Sequence, residues 1–326
     1  MNIRRHRAIL LAYLGMIVLL LLTSVVAPGF LSVTHLRSTV VLAAFIGIVA
    51  LGQTFVIIGG GIDLSVPWVL NSAAVLMTLL AASQDAPLIW IVPMLLAAGA
   101  LVGMVNGLGV AIFGVPPIIM TLAVNVILQG GILVYTGGAP TSTAPKAIQF
   151  LAVGRIAGFP VVLILWIALA AIATILLSKT AFGRHLYAVG TSATVAEFSG
   201  VPTLRTTVLA YTLSGFTAAL AGMLLTGYTA QAYLGMGDPY LFTSIAAVAI
   251  GGASILGGSG HYIGTIAGAL VLTILTGLLP ALNLSSGALL IVYGVVILVT
   301  VSLASEALSG LTAFLPRFGR SRGPSA

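Results

Sequence analysis

Side chains able to do chemistry are scarce in this chain: five acidic residues, four histidines and no cysteine among 326 residues. The missing thiols exclude disulfides, thiolate metal sites and a cysteine nucleophile. The histidines are too dispersed for a metal site, and no nucleophile stands near a base in a triad-like pattern. The chain therefore reads as a non-enzyme with no metal and no cofactor of its own, and its polar groups are candidates for recognition. Asp63 and Ser65 stand in Gly59-Gly60-Gly61-Ile62-Asp63-Leu64-Ser65-Val66-Pro67-Trp68, where three glycines and a proline stop a helix between two apolar runs. They either cap the following helix, with Asp63 favoured by its N-terminal dipole, or line a polar passage at a broken helix. Asn125 and Gln129 lie one helical turn apart, share a face, and form the second passage candidate. Gln53, Asn71 and Asn106 read as polar contacts between helices.

The segment from Lys179 to Arg205 holds a different kind of candidate. Thr194 and Glu197 have capping-box spacing, and Gly200 with Pro202 stops a helix after one or two turns. Val195, Ala196 and Phe198 give this short helix an apolar side, suited to a groove on another protein or to the bilayer surface. A second glycine-dense stretch runs from Gly251 to Gly268. Its Gly260, Gly264 and Gly268 are spaced four apart, the small-xxx-small pattern of closely packed membrane helices. No lysine follows it as in a phosphate loop.

The elements that must hold these residues are membrane helices. Apolar residues make up 60% of the chain and charged residues 5%, against about 25% charged in a soluble domain, and the mean hydropathy is +1.23. Soluble enzymes and nucleic-acid binders are excluded, and the net charge of +7 marks topology. Each crossing needs ~20 apolar residues, which predicts an all-α integral membrane protein, one domain over 1–326, with about ten spans. Their limits are near 8–28, 36–58, 64–83, 87–113, 115–136, 160–178, 206–230, 241–257, 261–280 and 286–306. The third and eighth, broken by glycine, are candidate half-spans. Arg4, Arg5, Arg7, Lys179, Arg184, Arg205, Arg317, Arg320 and Arg322 then fall inside, and Arg37, Lys146 and Arg155 outside. Both termini are expected in the cytoplasm, with a coupling loop at 179–205 and a basic tail at 307–326. Trp68, Trp90 and Trp166 read as interfacial or packing aromatics. No G-x-x-x-x-G-K-[ST] loop occurs, so the energy for any transport comes from elsewhere.

Five blocks give the chain a family resemblance: Gly60-Gly61-Ile62-Asp63-Leu64-Ser65-Val66; Gly114-Val115-Pro116-Pro117-Ile118-Ile119-Met120-Thr121-Leu122; Tyr135-Thr136-Gly137-Gly138-Ala139-Pro140; Phe182-Gly183-Arg184 through Ser199-Gly200; and Ile245 through Gly258, continued by Gly264-Thr265. In this order they resemble the membrane permease subunit of bacterial ABC importers of the ribose, xylose and arabinose type. The resemblance implies a type II ABC importer-like permease fold and a dimer, with a second copy of the permease as partner. It also implies a periplasmic sugar-binding protein, a cytoplasmic ABC ATPase subunit that hydrolyses the ATP, and a place in the bacterial inner membrane. By the same resemblance, Gly183, Arg184, Gly190, Thr194, Glu197, Phe198, Ser199 and Gly200 belong to the loop that couples to the ATPase. Pro67, Ser192, Glu197, Leu241 and Thr243 depart from the usual family residues, which suggests a matched ATPase partner. Two alternatives stand beside a sugar permease. One is an ABC permease for a polyol, nucleoside or branched-chain amino acid; the other is an ion-coupled secondary transporter using Asp63 or Asp238.

Overall fold

The computed structural model describes residues 3–27, 29–138 and 143–281, with 287, 288, 290–295 and 298 beyond them. In chain order the elements are α1 (Ile3–Val26), α2 (Val33–Ile58), α3 (Val66–Ala81), α4 (Leu88–Ala111), α5 (Pro117–Thr136) and α6 (Lys146–Val153). A two-residue hairpin, β1 (Arg155–Ile156) and β2 (Phe159–Pro160), leads to α7 (Val161–Lys179), α8 (Ala181–Thr191), α9 (Ala193–Phe198), α10 (Thr203–Thr229), α11 (Tyr240–Ile250) and α12 (Tyr262–Ala281). The two long connections expected from sequence are thus built rather than loose, one holding α6 and the hairpin, the other α8 and α9.

Six described helices are long and apolar enough to cross a membrane: α1, α2, α4, α5, α7 and α10. The apolar helices at 66–81, 240–250 and 262–278 are shorter or uncounted by that measure, so the chain is a multi-pass helical protein whose count of ten spans is not established. The eighth expected span, 241–257, one of the two candidate half-spans, is helical only in its first part. Its helix ends at Ile250 because Gly251 closes it and Gly252, Gly257, Gly258 and Gly260 all take positive φ. Eleven residues rise about 17 Å, roughly half of a ~30 Å hydrocarbon core. Most of the tenth expected span, 286–306, and the whole tail, 307–326, lie outside the described residues, as does part of the Tyr135–Pro140 block.

Apolar surface is distributed as a lipid solvent demands. Helix α2 is buried almost all round, from Ala43 to Ile58, among α10, α11, α12 and α7. Helices α1, α4, α5 and α7 turn Leu14, Ile89, Ile127 and Ile167 outward, which water would penalise and a bilayer does not. Inside, Trp166 Nε1 donates to the Tyr262 hydroxyl at 2.8 Å, and that hydroxyl donates to the Gly47 carbonyl at 2.7 Å. Trp68 is likewise buried, whereas Trp90 is exposed.

A close helix seam joins α4 to α10. A Cβ on Gly103 would stand 2.0 Å from the Tyr211 carbonyl oxygen, and one on Gly215 the same distance from the Gly99 oxygen. Gly107 meets the backbone of Val208 in the same way. Backbones touch here without side chains between them, the arrangement that small residues at every fourth position permit. The spacing of Gly264 and Gly268 does the same work between α12 and α11, against Gly251 and Ala247. Gly260 precedes α12 and packs in the turn instead.

Candidate functional site

The break between α2 and α3 folds inward and carries its polar residues into the protein. Asp63 and Ser65 are fully buried. One carboxylate oxygen, Asp63 Oδ1, accepts from the Ser65 backbone N–H at 2.9 Å and from the Ser65 hydroxyl at 2.6 Å. Asn106 Nδ2, from α4, donates to Ser65 Oγ at 2.8 Å. Capping by both residues is corrected in one respect: Ser65 occupies the N-cap of α3 but makes no capping bond of its own, because its hydroxyl is already engaged by Asp63 and Asn106. On the α10 side, Ser214 lies beside the Asp63 carboxylate and Tyr211 beside the Ile62 backbone. Asp63 Oδ2, Asn106 Oδ1 and the Tyr211 and Ser214 hydroxyls keep hydrogen-bonding capacity that no bond of ordinary geometry uses.

Three glycine segments meet just beyond this cluster. The Gly258 N–H donates to the Ile58 carbonyl at 2.9 Å, joining the end of α2 to the connection after α11. Gly190, at the end of α8, fits between them so tightly that a Cβ there would stand 1.8 Å from Ile58 O and 2.5 Å from Gly258 N. A Cβ on Gly257 would lie 2.6 Å from the Gly190 carbonyl oxygen and 2.8 Å from the Gly60 Cα. The Tyr187 hydroxyl adds a bond to the Gly260 carbonyl at 2.8 Å. Helix α8 is therefore fixed to two otherwise separate parts of the chain by backbone contact.

The loop residues divide by face. Gly183, Leu186 and Val189, spaced for one side of a helix, are buried, and Gly183 leaves no room for a Cβ against the carbonyls of Leu176 and Leu177. Arg184, Thr194, Glu197, Ser199 and Gly200 are exposed. Helix α9 is short, as its spacing predicts, but the cap is different. Ser192, not Thr194, is the N-cap and accepts from the Val195 N–H at 3.3 Å. The box with Glu197 does not form, because Thr194 already lies inside the first turn. Ala196 faces inward, while Val195 is 64% and Phe198 89% exposed. Gly200 has φ +78° and donates to the Glu197 carbonyl, which turns the chain toward α10.

A cavity of about 310 Å³ opens between these parts, lined by Gly60, Gly61, Tyr211, Thr203, Thr207 and Glu197. It brings the broken helix and the α9 carboxylate together. Asn125 and Gln129 do share a half-buried face of α5, neither lines this cavity, and Asn125 Oδ1 is unbonded. Asp238 stands in the connection before α11, with its carboxyl beside the Trp68 side chain. Among the described residues no three His, Asp or Glu side chains cluster as metal ligands would. Sequence reasoning missed the junction at Gly190 and the seam at Gly99, Gly103 and Gly107, although the spacing of the latter was visible.

Comparison with known proteins bears directly on this geometry. A family model described as "Branched-chain amino acid transport system / permease component" matches residues 35–301. The ribose import permease protein RbsC of Bacillus subtilis is 37% identical over 293 residues, covering 89% of this chain and 91% of that one. The protein of the same name from Haemophilus influenzae is 34% identical with the same coverage. The autoinducer 2 import system permease protein LsrD of Photorhabdus luminescens is 33% identical over 68% of each chain. No solved structure matches.

Proposed function

The chain belongs to the permease-component family of branched-chain amino acid transport systems, and from that premise we propose that it is the membrane permease of an ABC importer for a monosaccharide. The observation that carries this reading is its likeness, over nine-tenths of its length, to permeases named for ribose import. In this reading the chain pairs with a second copy, receives sugar from a periplasmic or extracellular binding protein, and is driven by a cytoplasmic ABC ATPase. Both termini lie in the cytoplasm, on the side of α8 and α9, and ten segments lie in the inner membrane, the eighth of them helical for only about half its depth. The chain itself makes and breaks no bond.

Coupling follows from the junction. Phe198 and Val195 offer an apolar surface to a groove on the ATPase, with Glu197 beside them. Movement of α9 passes through α8 to Gly190, and from there to the end of α2 and the 251–260 connection, which share a hydrogen bond. ATP binding thereby biases an equilibrium between outward-open and inward-open forms.

The test is a mild-detergent pull-down of the tagged chain from its native membrane, with mass spectrometry of what accompanies it. A P-loop ATPase and a sugar-binding protein are expected. Recovery of the chain alone under cross-linking, together with uptake that a proton ionophore abolishes and ATP depletion leaves intact, overturns the reading.

A further inference from the structure

The connection between α10 and α11, residues 230–239, does not stay at the end of the bundle. Its Met236 N–H donates to Asn71 Oδ1 at 3.2 Å, in the second turn of α3, and Gly237 packs on the Pro67 backbone. Yet α10 is long enough to cross the membrane and delivers the chain to the end where α2 begins. The connection therefore runs back to membrane depth as non-helical backbone. Such backbone persists at that depth only where protein surrounds it or where it lines a wet cavity.

It does line one. A cavity of about 340 Å³ lies between this connection, the first half of α2, α11 and the second half of α12, at the low end of the range for small-ligand sites, about 300–1,000 Å³. Leu42, Ile46 and Leu225 give it an apolar floor. Its polar wall has a one-sided character. Thr39, Thr243, Thr273 and Thr276 each donate their hydroxyl proton to a carbonyl one turn back in their own helix. Toward these four a ligand must supply the protons, and Thr276 Oγ1 already lies 3.4 Å from the Tyr293 hydroxyl. Tyr240 adds an aromatic face with Tyr233 and Tyr293 close by, and the buried His35 Nε2 has no hydrogen-bond partner among the described residues. No Asp, Glu, Lys or Arg lines the cavity, which leaves the carboxylate and ammonium of an amino acid without counter-charges.

A ligand rich in hydroxyl donors, uncharged, with a flat C–H face for an aromatic ring, meets these conditions. We propose that this cavity, walled by the re-entrant connection and the hydroxyls of α2, α11 and α12, is a low-affinity station for a neutral monosaccharide. This rests on the importer reading and deepens it by excluding an amino-acid cargo. Weak binding suits a station that must release what it receives.

The cysteine-free chain allows a direct test. Ser38→Cys puts a single thiol in the cavity wall, and Ser83→Cys puts one on the exposed surface at the same end of the bundle. The full chain in membrane vesicles is labelled with a membrane-impermeant thiol reagent, with D-ribose or L-leucine present. D-ribose is expected to slow labelling at Ser38→Cys, not at Ser83→Cys, and leucine at neither. Adding Tyr240→Leu, which removes the aromatic face, or Thr243→Val, which removes an acceptor, should weaken the protection, the latter about fivefold, the effect of one lost hydrogen bond. Labelling untouched by D-ribose, equal protection by leucine, or protection indifferent to both variants overturns the proposal. ATP-dependent sugar uptake measured on the same vesicles separates the two ideas: uptake without protection removes the station alone, and protection with ATP-independent uptake removes the importer alone.

Discussion

Gly190→Ala is the sharpest perturbation available, because one methyl group must displace two backbones. The Ile58 carbonyl oxygen, 1.8 Å from the new Cβ, has to retreat to the 3.4 Å of ordinary contact, and Gly258 N, at 2.5 Å, must move as well. Their mutual hydrogen bond of 2.9 Å cannot survive both displacements. Overpacking of this kind costs about 1–3 kcal/mol, and leaving a buried donor and acceptor unmade costs about 1–3 kcal/mol more. The total, about 2–6 kcal/mol, is a large part of a typical stability of about 5–15 kcal/mol. The variant should reach the membrane, melt well below the parent in detergent, and lose ATP-driven uptake more than that destabilisation explains. Gly200→Ala supplies the comparison. Its φ of +78° strains any side chain, but nothing lies within 4 Å of the added Cβ, so the cost is only about 1–2 kcal/mol. A Gly190→Ala protein with parental melting and uptake would refute the idea that α8 is locked to α2 through backbone contact.

The remaining expectations concern single contacts. Phe198→Asp, at a site 89% exposed, should leave the melting temperature unchanged while the ATPase no longer co-purifies; loss of folding instead would place Phe198 in the core. Glu197→Lys and Gly200→Pro should each abolish uptake with the protein still in the membrane, the latter because proline cannot adopt the positive φ or donate to Glu197, and normal uptake in both removes this loop from coupling. Ser65→Ala takes a partner from both Asp63 and Asn106 and should cost about 1–3 kcal/mol by thermal unfolding in detergent. Trp166→Phe removes the N–H donor that the Tyr262 hydroxyl accepts from and should cost about 1–3 kcal/mol, read as a lower melting temperature; an unchanged value would mean that Tyr262 gains nothing from the indole.

Much of the helical layout was legible because lipid imposes it: α2, α5 and α7 fall within a few residues of the limits set by hydropathy and by Pro and Gly. The short α11 was legible only as a candidate half-span and its end point was not, since Gly251-Gly252-Ala253-Ser254-Ile255-Leu256 is as apolar as a span and glycine is common in membrane helices. Only the positive φ values of this stretch end the helix. Likewise Thr194 and Glu197 had the spacing of a box, but Ser192 lies one residue before the first helical position and takes the cap. The break at Gly59–Pro67 was visible as a break, and its direction, folding Asp63 against α4 and α10, was not. The wall of threonines and tyrosines drew no attention as a group, because its members are scattered from His35 to Tyr293 and each alone looks like ordinary helix packing.

The seam between α4 and α10 has a mechanical consequence. Where carbonyl oxygens occupy the space that Gly103 and Gly215 leave open, there are no rotamers to readjust and no slack to take up, so the two helices are a single stiff stave. A permease that swings between two shapes cannot slide along such a joint. Whatever flexes must lie outside this joint.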